Sequence, residues 1–459
     1  MTENATSPAP NAAPNTSSAP GADIELTPAF KQALELLENT DENVFITGKA
    51  GTGKSTFLEY FRRHTKKNVV VVAPTGVAAL NVKGQTIHSF FNIRPGLIDK
   101  TSFKPSRNKK IYGQIDLLII DEISMVRADL FEAIEATLRQ NKNKSMPFGG
   151  VQLCVIGDLF QLPPVVSRAE ADAYAERYDS PFFFSSPTFA AANFELVKFD
   201  TIFRQQDFEF IEILNRLRVG YKNPAVLDYL NQRHTHPSVL GDVTPVTLTT
   251  TNAIADGINK NELAQLETPT YTFEGDISGK FDVDKNRLPA PQELNLKVGA
   301  QVMFTRNDLV RKRWVNGTIG TVARLSPEMI AVRVRHEDGR ERVYDVGPEK
   351  WVTYRYGSDA EGKLVQEEAG AYVQYPLMLA WAVTIHKSQG KTLDHVIVDL
   401  GRGAFAPGQL YVALSRCRSF EKLVLRRPIH ASDIHCDPAV MAFVRAYQQK
   451  QQQAPASED

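Results

Sequence analysis

The sequence predicts an α/β protein: a doubly wound parallel sheet, then a second α/β unit interrupted by a β-rich stretch. Three observations predict it. Short apolar runs alternate with helix-spaced patterns from residue 24 to about 200, as consecutive βαβ units do. Each run ends in polar or glycine-bearing residues, at the strand ends where ligands of such sheets gather. From about 297 to 370 the pattern becomes short β-like runs separated by Gly, Asp and Pro, which predicts a small inserted β-barrel.

Residues 1–23, rich in Pro, Ala, Asn and Ser, predict a disordered tail. The first strand, Val44–Thr47, runs into Gly48-Lys49-Ala50-Gly51-Thr52-Gly53-Lys54-Ser55, which fits G-x-x-x-x-G-K-[ST]. In that pattern glycines let backbone N–H groups curl around phosphates, the lysine reaches the β/γ-phosphates and the hydroxyl ligates Mg²⁺. Gly48, Gly51, Thr52, Gly53, Lys54, Ser55 and Thr56 are therefore the candidate nucleotide-binding residues. Phe57, Leu58 and Phe61 continue on one helical face.

The second strand, Asn68–Ala73, ends at Pro74-Thr75-Gly76, and the third, Asp116–Ile120, ends at Asp121-Glu122. Alone, an acid there is more often a helix N-cap. Behind a phosphate loop, Asp121 is a candidate Mg²⁺ ligand with Ser55, and Glu122 a candidate for orienting or deprotonating water. The fourth strand, Gln152–Ile156, leads through Gly157-Asp158 to Gln161 and the stiff pair Pro163-Pro164. Gln161 is a candidate γ-phosphate sensor. Arg204 and Arg416, at the edges of helical patterns, are candidates to meet charge developing on a transferred phosphoryl group.

Hydroxyl, amide and imidazole groups cluster at Thr75, at Thr86-Ile87-His88-Ser89 and at Thr384-Ile385-His386-Lys387-Ser388-Gln389. Such donors hold phosphates and sugars without reading sequence. Phe90, Phe91 and Trp314 are equally candidate stacking faces or core. A second α/β unit begins near Val246–Thr250 and resumes from Tyr372 to Leu425. Basic residues gather at Lys100, Lys104, Arg107, Lys109 and Lys110, and at Arg311-Lys312-Arg313 beside Trp314. Either cluster alone is more often a solvated loop.

At 459 residues, two or three domains are expected. No apolar run approaches a membrane span. The first residues lack the basic start and apolar core of a signal, so a cytoplasmic protein is expected. Cys154, Cys417 and Cys436 form no CxxC pair and suit a reducing compartment. With 53 basic and 53 acidic residues, a positively coated surface is excluded, but a local basic channel is not.

Taken in order, these segments resemble the Pif (petite integration frequency) family of superfamily-one helicases. The matching stretches are GKAGTGKST at 48–56, APTGVAAL at 73–80, GQTIHSFF at 84–91 and IIDEISMV at 119–126. GDLFQLPPV at 157–165, AVTIHKSQGKTL at 382–393 and YVALSRCRS at 411–419 follow. Asp129 to Leu153 resembles the family's signature insert. The resemblance implies two RecA-like P-loop NTPase lobes, 24–200 and 201–296 with 371–446, and a small SH3-like barrel at 297–370. It places a strand-separating wedge near 92–114; a disordered tail at 447–459 is expected from composition, Gln-rich at 448–453 and ending Ala454 to Asp459.

It further implies an ATP-hydrolysing, Mg²⁺-dependent DNA helicase that moves 5′ to 3′ on single strands and opens forked or 5′-tailed duplex. Repair, recombination, replication and, at family level, telomere maintenance are the implied settings. Under the resemblance Glu122, Gln161, Arg204 and Arg416 are catalytic, the two arginines as fingers. Thr75, Thr86, His88, Thr384, His386, Lys387, Ser388 and Gln389 hold DNA. A monomer is expected, with single-strand-binding or repair proteins as candidate partners. Two alternatives stay open: an ATP-switched remodelling factor on single strands, and an RNA helicase. One departure stands out, since Phe30 occupies the position of the family's adenine-reading Gln and Gln32 comes two residues late.

Overall fold

The computed structural model describes residues 26–98, 109–201, 207–241, 243–281, 283, 288–336, 339–359 and 363–453. The tail expected at 1–23 and the last residues of the tail expected at 447–459 lie outside them.

The first lobe is a six-stranded sheet made of β1 (Asn43–Gly48), β2 (Val69–Ala73), β3 (Gln85–Thr86), β4 (Leu117–Ile120), β5 (Gln152–Gly157) and β6 (Phe194–Phe199). Every pairing is parallel, in the order β3-β2-β4-β5-β1-β6. The strands read as continuous apolar runs because helices cover both faces. Alternate residues supply opposite cores: Val70, Val72, Leu118 and Ile120 pack with Phe45 and Phe131. Val71, Leu117 and Ile119 pack with Phe30, Phe57 and Phe61. A fully buried side chain of this size contributes about 1.5–3 kcal/mol, so a register slip in β2 or β4 exchanges two cores at once.

This order puts β4, β5 and β1 side by side. The loops that leave them, carrying Asp121-Glu122, Asp158 and Gly48–Lys54, are therefore neighbours in space, although up to 110 positions separate them. Helix caps fix where the chain departs: Thr75 Oγ1 accepts from Ala78 N at 3.2 Å and Thr86 Oγ1 from Ser89 N at 3.2 Å.

The second lobe holds a four-stranded parallel sheet, ordered Ala382–Thr384, Val246–Thr249, Val396–Asp399, Leu423–Leu425. Between its strands lies a five-stranded antiparallel sheet, ordered Glu341–Val346, Met329–Arg335, Ile319–Ser326, Gln301–Phe304, Leu377–Leu379. A three-stranded sheet joins Glu349–Ser358, Leu364–Gln374 and Asp276–Gly279, and a two-stranded one joins Glu293–Leu296 and Tyr271–Glu274. β structure thus reaches beyond 297–370 at both ends, through short strands with little alternation to mark them.

Two segments return to the first lobe. Helix Pro438–Gln453 stacks Phe443 on Phe184 at 4.4 Å, and Tyr447 donates to Phe194 O at 2.7 Å. The hairpin 349–374 inserts Tyr356 among Phe90 and its neighbours, and the Tyr356 hydroxyl accepts from Val71 N at 2.9 Å.

Candidate nucleotide cleft and strand-holding loops

Gly48 ends β1, and the chain turns through Gly51 and Gly53, both left-handed (φ 81° and 85°), before helix Lys54–His64 begins. Gly53 is its N-cap, a backbone state that favours glycine. Thr52 is buried, with its hydroxyl donating to Lys49 O at 2.9 Å; Ser55 and Thr56 are exposed in the first turn. The Lys54 ammonium donates to Gly48 O at 2.8 Å and Lys49 O at 2.9 Å. Burial lowers the Lys54 pKa, against the opposing pull of Asp158, Glu122 and Asp121.

Asp121 continues β4 by donating its N–H to Val72 O at 2.9 Å. Burial pushes its carboxyl up to about 6, against a backbone hydrogen bond from Glu122 and the charge of Lys54. Glu122 is itself left-handed (φ 52°). Burial, then the charge of Asp121, pushes it up to about 7, while Lys54 and Arg416 pull it back. Two acids held this high favour a cation beside them. Among the described residues no group of three or more His, Cys, Asp or Glu gathers for a metal. The hard oxygens of Ser55 and Asp121 fit Mg²⁺, which takes one or two carboxylates and completes its shell with water and substrate phosphates.

Asp158, missed as a functional residue by sequence reasoning, organises the next loop. Its side chain is fully buried and Arg218 Nη2 lies 2.7 Å from Oδ1. Burial pushes the carboxyl up, but Arg218 and Lys54 together hold it below the usual range. Gln161 Nε2 donates to Asp158 Oδ2 at 3.3 Å, and Gln161 Oε1 accepts from Gln389 Nε2 at 3.0 Å. The sensor candidate of the first lobe thus touches the strand-holding loop of the second.

Arg416 is 1% exposed. Its Nε donates to Val412 O at 2.9 Å, its Nη2 to Ser415 Oγ at 2.9 Å and its Nη1 to Lys391 O at 3.3 Å. Its charge is felt by Glu122 across the cleft. Tyr411 lies in the stretch 411–419; its hydroxyl is hydrogen-bonded to the Ala50 backbone, and burial pushes it up to about 12. Arg204 lies outside the described residues, as do Lys100, Lys104 and Arg107.

Of the strand-holding candidates, His386 and Lys387 are exposed and Gln389 half-buried. Thr384 and Ser388 are buried and build the loop: Thr384 Oγ1 accepts from Lys387 N at 3.3 Å and Ser388 Oγ donates to Ile385 O at 2.8 Å. Thr75, Thr86 and His88 are half-buried. The two threonine caps use a lone pair, which leaves each O–H able to donate.

The aromatic candidates turn out to be core. Phe90, Phe91 and Trp314 are 8%, 4% and 6% exposed. Phe90 and Phe91 pack on Tyr112, and Trp314 stacks on Phe304 at 4.2 Å. Phe30 is 5% exposed and sits between Phe57 and Phe199, so its ring fills the first lobe's core.

A family model described as PIF1-like helicase matches residues 25–223. The ATP-dependent DNA helicase Pif1 of Bdellovibrio bacteriovorus is 34% identical over 436 residues, covering 93% of each chain. The chain belongs to the PIF1-like helicase family. Human ATP-dependent DNA helicase PIF1 is 33% identical over 88% of this chain, which spans only 61% of that protein's length. Among solved structures, Bacteroides sp. Pif1 in complex with ADP-AlF4 superposes with a TM-score of 0.85 at 37% identity, covering 93% of this chain and 98% of that one. Bacteroides Pif1 bound to ssDNA gives 0.67 at 38% identity, covering 94% and 98%. This PIF1-like chain therefore superposes more closely on the ADP-AlF4 complex than on the ssDNA-bound one.

Proposed function

We infer that this chain is an ATP-dependent DNA helicase, an ATP hydrolase that moves 5′ to 3′ along a single strand and opens the duplex ahead. The observation that carries this reading is the cleft itself. Lys54, Asp121 and Glu122 of one lobe face Arg416 of the other, and Gln161 is hydrogen-bonded to Gln389 in the strand-holding loop.

The residues divide the work by position. A β-phosphate entering the loop draws the Lys54 ammonium from two backbone carbonyls, an exchange of a neutral acceptor for a charged one. Ser55 and Asp121 would hold Mg²⁺, which would supply charge neutralisation at the phosphates. Glu122, with a pKa near neutrality, is suited to take a proton from the attacking water. Gln161 senses the γ-phosphate; Arg416 and Arg204 act as fingers that complete the site only when the lobes close. His386, Lys387 and Gln389, with Thr75, Thr86 and His88, hold the strand by its backbone; Thr384 and Ser388 shape that loop. We take the five-stranded antiparallel sheet as the counterpart of the SH3-like barrel, with the second lobe divided around it.

The base of the nucleotide is held without Phe30, so selectivity for adenine is expected to be weak. A duplex with a 5′ single-stranded tail is expected to be unwound with ATP and Mg²⁺, and a 3′-tailed or blunt duplex left intact. Equal unwinding of both tail polarities overturns the assigned direction.

A further inference from the structure

We propose that Arg218 of the second lobe is a positioning residue that sets the orientation of the Gln161 amide through Asp158, so that the sensor works only while the lobes are joined. Arg218 is the last residue of helix Phe208–Arg218. Its Nη2 and Nε lie 2.7 and 3.2 Å from the same oxygen, Asp158 Oδ1, which also accepts from Phe160 N at 3.2 Å. That crowding leaves Oδ2 for Gln161 Nε2, at 3.3 Å. An ionised carboxylate only accepts hydrogen bonds, so the end of the Gln161 amide that faces it must be the NH₂. Oε1 then faces Gln389, which must present its own NH₂ at 3.0 Å. One ion pair thereby fixes the direction of two amides, and Gln161 keeps its second N–H for an acceptor such as a phosphate oxygen.

The surroundings fit a device that senses lobe contact. The Arg218 guanidinium also lies 4.1 Å from the centre of the Phe160 ring. Leu162, just past the sensor, is buried in the second lobe's core although it belongs to the first lobe's chain. Gly408 of the second lobe, left-handed at φ 71°, presses on the same backbone: a Cβ there would come within 2.3 Å of Phe160 O and 2.8 Å of Gln161 O. Residues 158–162 are thus gripped by the second lobe at three points, and separating the lobes removes Arg218 from Asp158. Without the guanidinium, Oδ1 is open to other donors, so Gln161 Nε2 is no longer confined to Oδ2 and the amide loses its fixed direction.

This inference rests on the reading of Gln161 as the γ-phosphate sensor, and the experiment separates the two. ATP hydrolysis by the full chain is measured at saturating oligo(dT) for Arg218→Met, Gln161→Ala and the double variant, with thermal melting of each. Gln161→Ala is expected to lower kcat. Arg218→Met is expected to lower kcat about tenfold with the KM for ATP within about twofold, and to have less than about a twofold effect in the Gln161→Ala background. Arg218→Lys should recover most of the rate. Asp158→Asn, which keeps the side-chain shape, should show the same non-additivity in a chain that melts as the parent does. An equal fractional fall from Arg218→Met in both backgrounds, or a rise in KM at unchanged kcat, overturns the proposal and leaves the sensor reading standing. Unchanged kcat in Gln161→Ala overturns the sensor reading and this proposal with it.

Discussion

On the first-lobe wall of the cleft, Lys54, Asp121 and Glu122 sit at the ends of two strands of one parallel sheet, and each is held by its own lobe. Lys54 leans on the carbonyls of Gly48 and Lys49, and Asp121 is bonded to Val72. On the second-lobe wall, Arg218, Gln389, Tyr411 and Arg416 come from three separate segments, and three of them bond or stack across to residues 50–161. The first wall is a finished surface, whereas much of the second is defined by its contacts with the first. Damage to the first should remove phosphate binding and the chemistry together; damage to the second should remove the rate that closure adds and leave nucleotide binding in place.

The largest expected effect tests the first wall. Lys54→Ala removes the charge that meets the β/γ-phosphates and is expected to drop hydrolysis and unwinding to background. Binding of single-stranded DNA should stay within about threefold of the parent, since no strand-holding residue is touched. A phosphate-release assay and fluorescence anisotropy with a labelled strand check both halves. The counterpart on the second wall is Arg416→Ala. A finger of this kind is worth roughly 10³-fold or more in kcat, and nucleotide affinity is expected to change little. If Arg416→Ala instead raised the nucleotide Kd with kcat intact, the second wall would be a binding surface rather than a trigger.

This contrast also decides what was legible in the sequence. The first wall is written in contiguous motifs, because a phosphate loop and the acids behind it need only a strand end and a turn. A parallel sheet with Asp121, Glu122 and Gln161 just past its strand ends was expected from that, whereas the strand order comes from the structure. Arg218 carries no motif of its own: its role depends on the helix that ends there and on a carboxylate 60 positions away. Aromatic residues were undecided for a similar reason, since Phe90, Phe91 and Trp314 look alike in sequence whether they face a base or a core, and burial decides. Residues 438–446 read as part of the second lobe and 447 onward as a tail, yet one helix, Pro438–Gln453, runs through both and lays Phe443 and Tyr447 on the first lobe, because nothing local states which lobe an amphipathic helix will cover.

A middle-sized effect separates the walls by pH. Asp121 and Glu122 are raised to about 6 and about 7 by burial, so the folded apo chain binds protons there that the unfolded chain has already released. By linkage, their contribution to stability falls as pH rises from about 4 to about 7. Mg²⁺ requires the ionised forms, so its affinity should rise over pH 6 to 7, and the acidic limb of the hydrolysis profile should move to lower pH at saturating Mg²⁺. Arg416 and Arg218 do not titrate in this range. A limb that ignores Mg²⁺ would place the controlling proton away from the first wall.

The smallest effect concerns a third contact on the first lobe. β3 pairs only with Val72 and Ala73 of β2, so Val71 on that edge takes its partner from the hairpin 349–374: its N–H donates to the Tyr356 hydroxyl at 2.9 Å. On the same side Val283 lies against Gly76, where an added Cβ would meet it at 3.0 Å, next to the strand-holding candidate Thr75. The insert therefore rests on the first lobe beside residues assigned to DNA. The ssDNA-bound relative superposes less well than the ADP-AlF4-bound one at nearly equal identity, so the two arrangements differ. Tyr356→Phe keeps the ring beside Phe90 but leaves the Val71 N–H unpaired while the hairpin is docked, at a cost of about 1 kcal/mol. If undocking favours the strand-bound arrangement, the variant should bind a labelled oligo(dT) up to about fivefold more tightly, because destabilising the docked state lowers the barrier that binding must overcome. Basal hydrolysis should be unchanged, since Tyr356 touches neither wall of the cleft. Weaker or equal binding would mean that the docked hairpin is part of the strand-bound arrangement, and that the first lobe has three fixed contacts rather than two fixed and one that lets go.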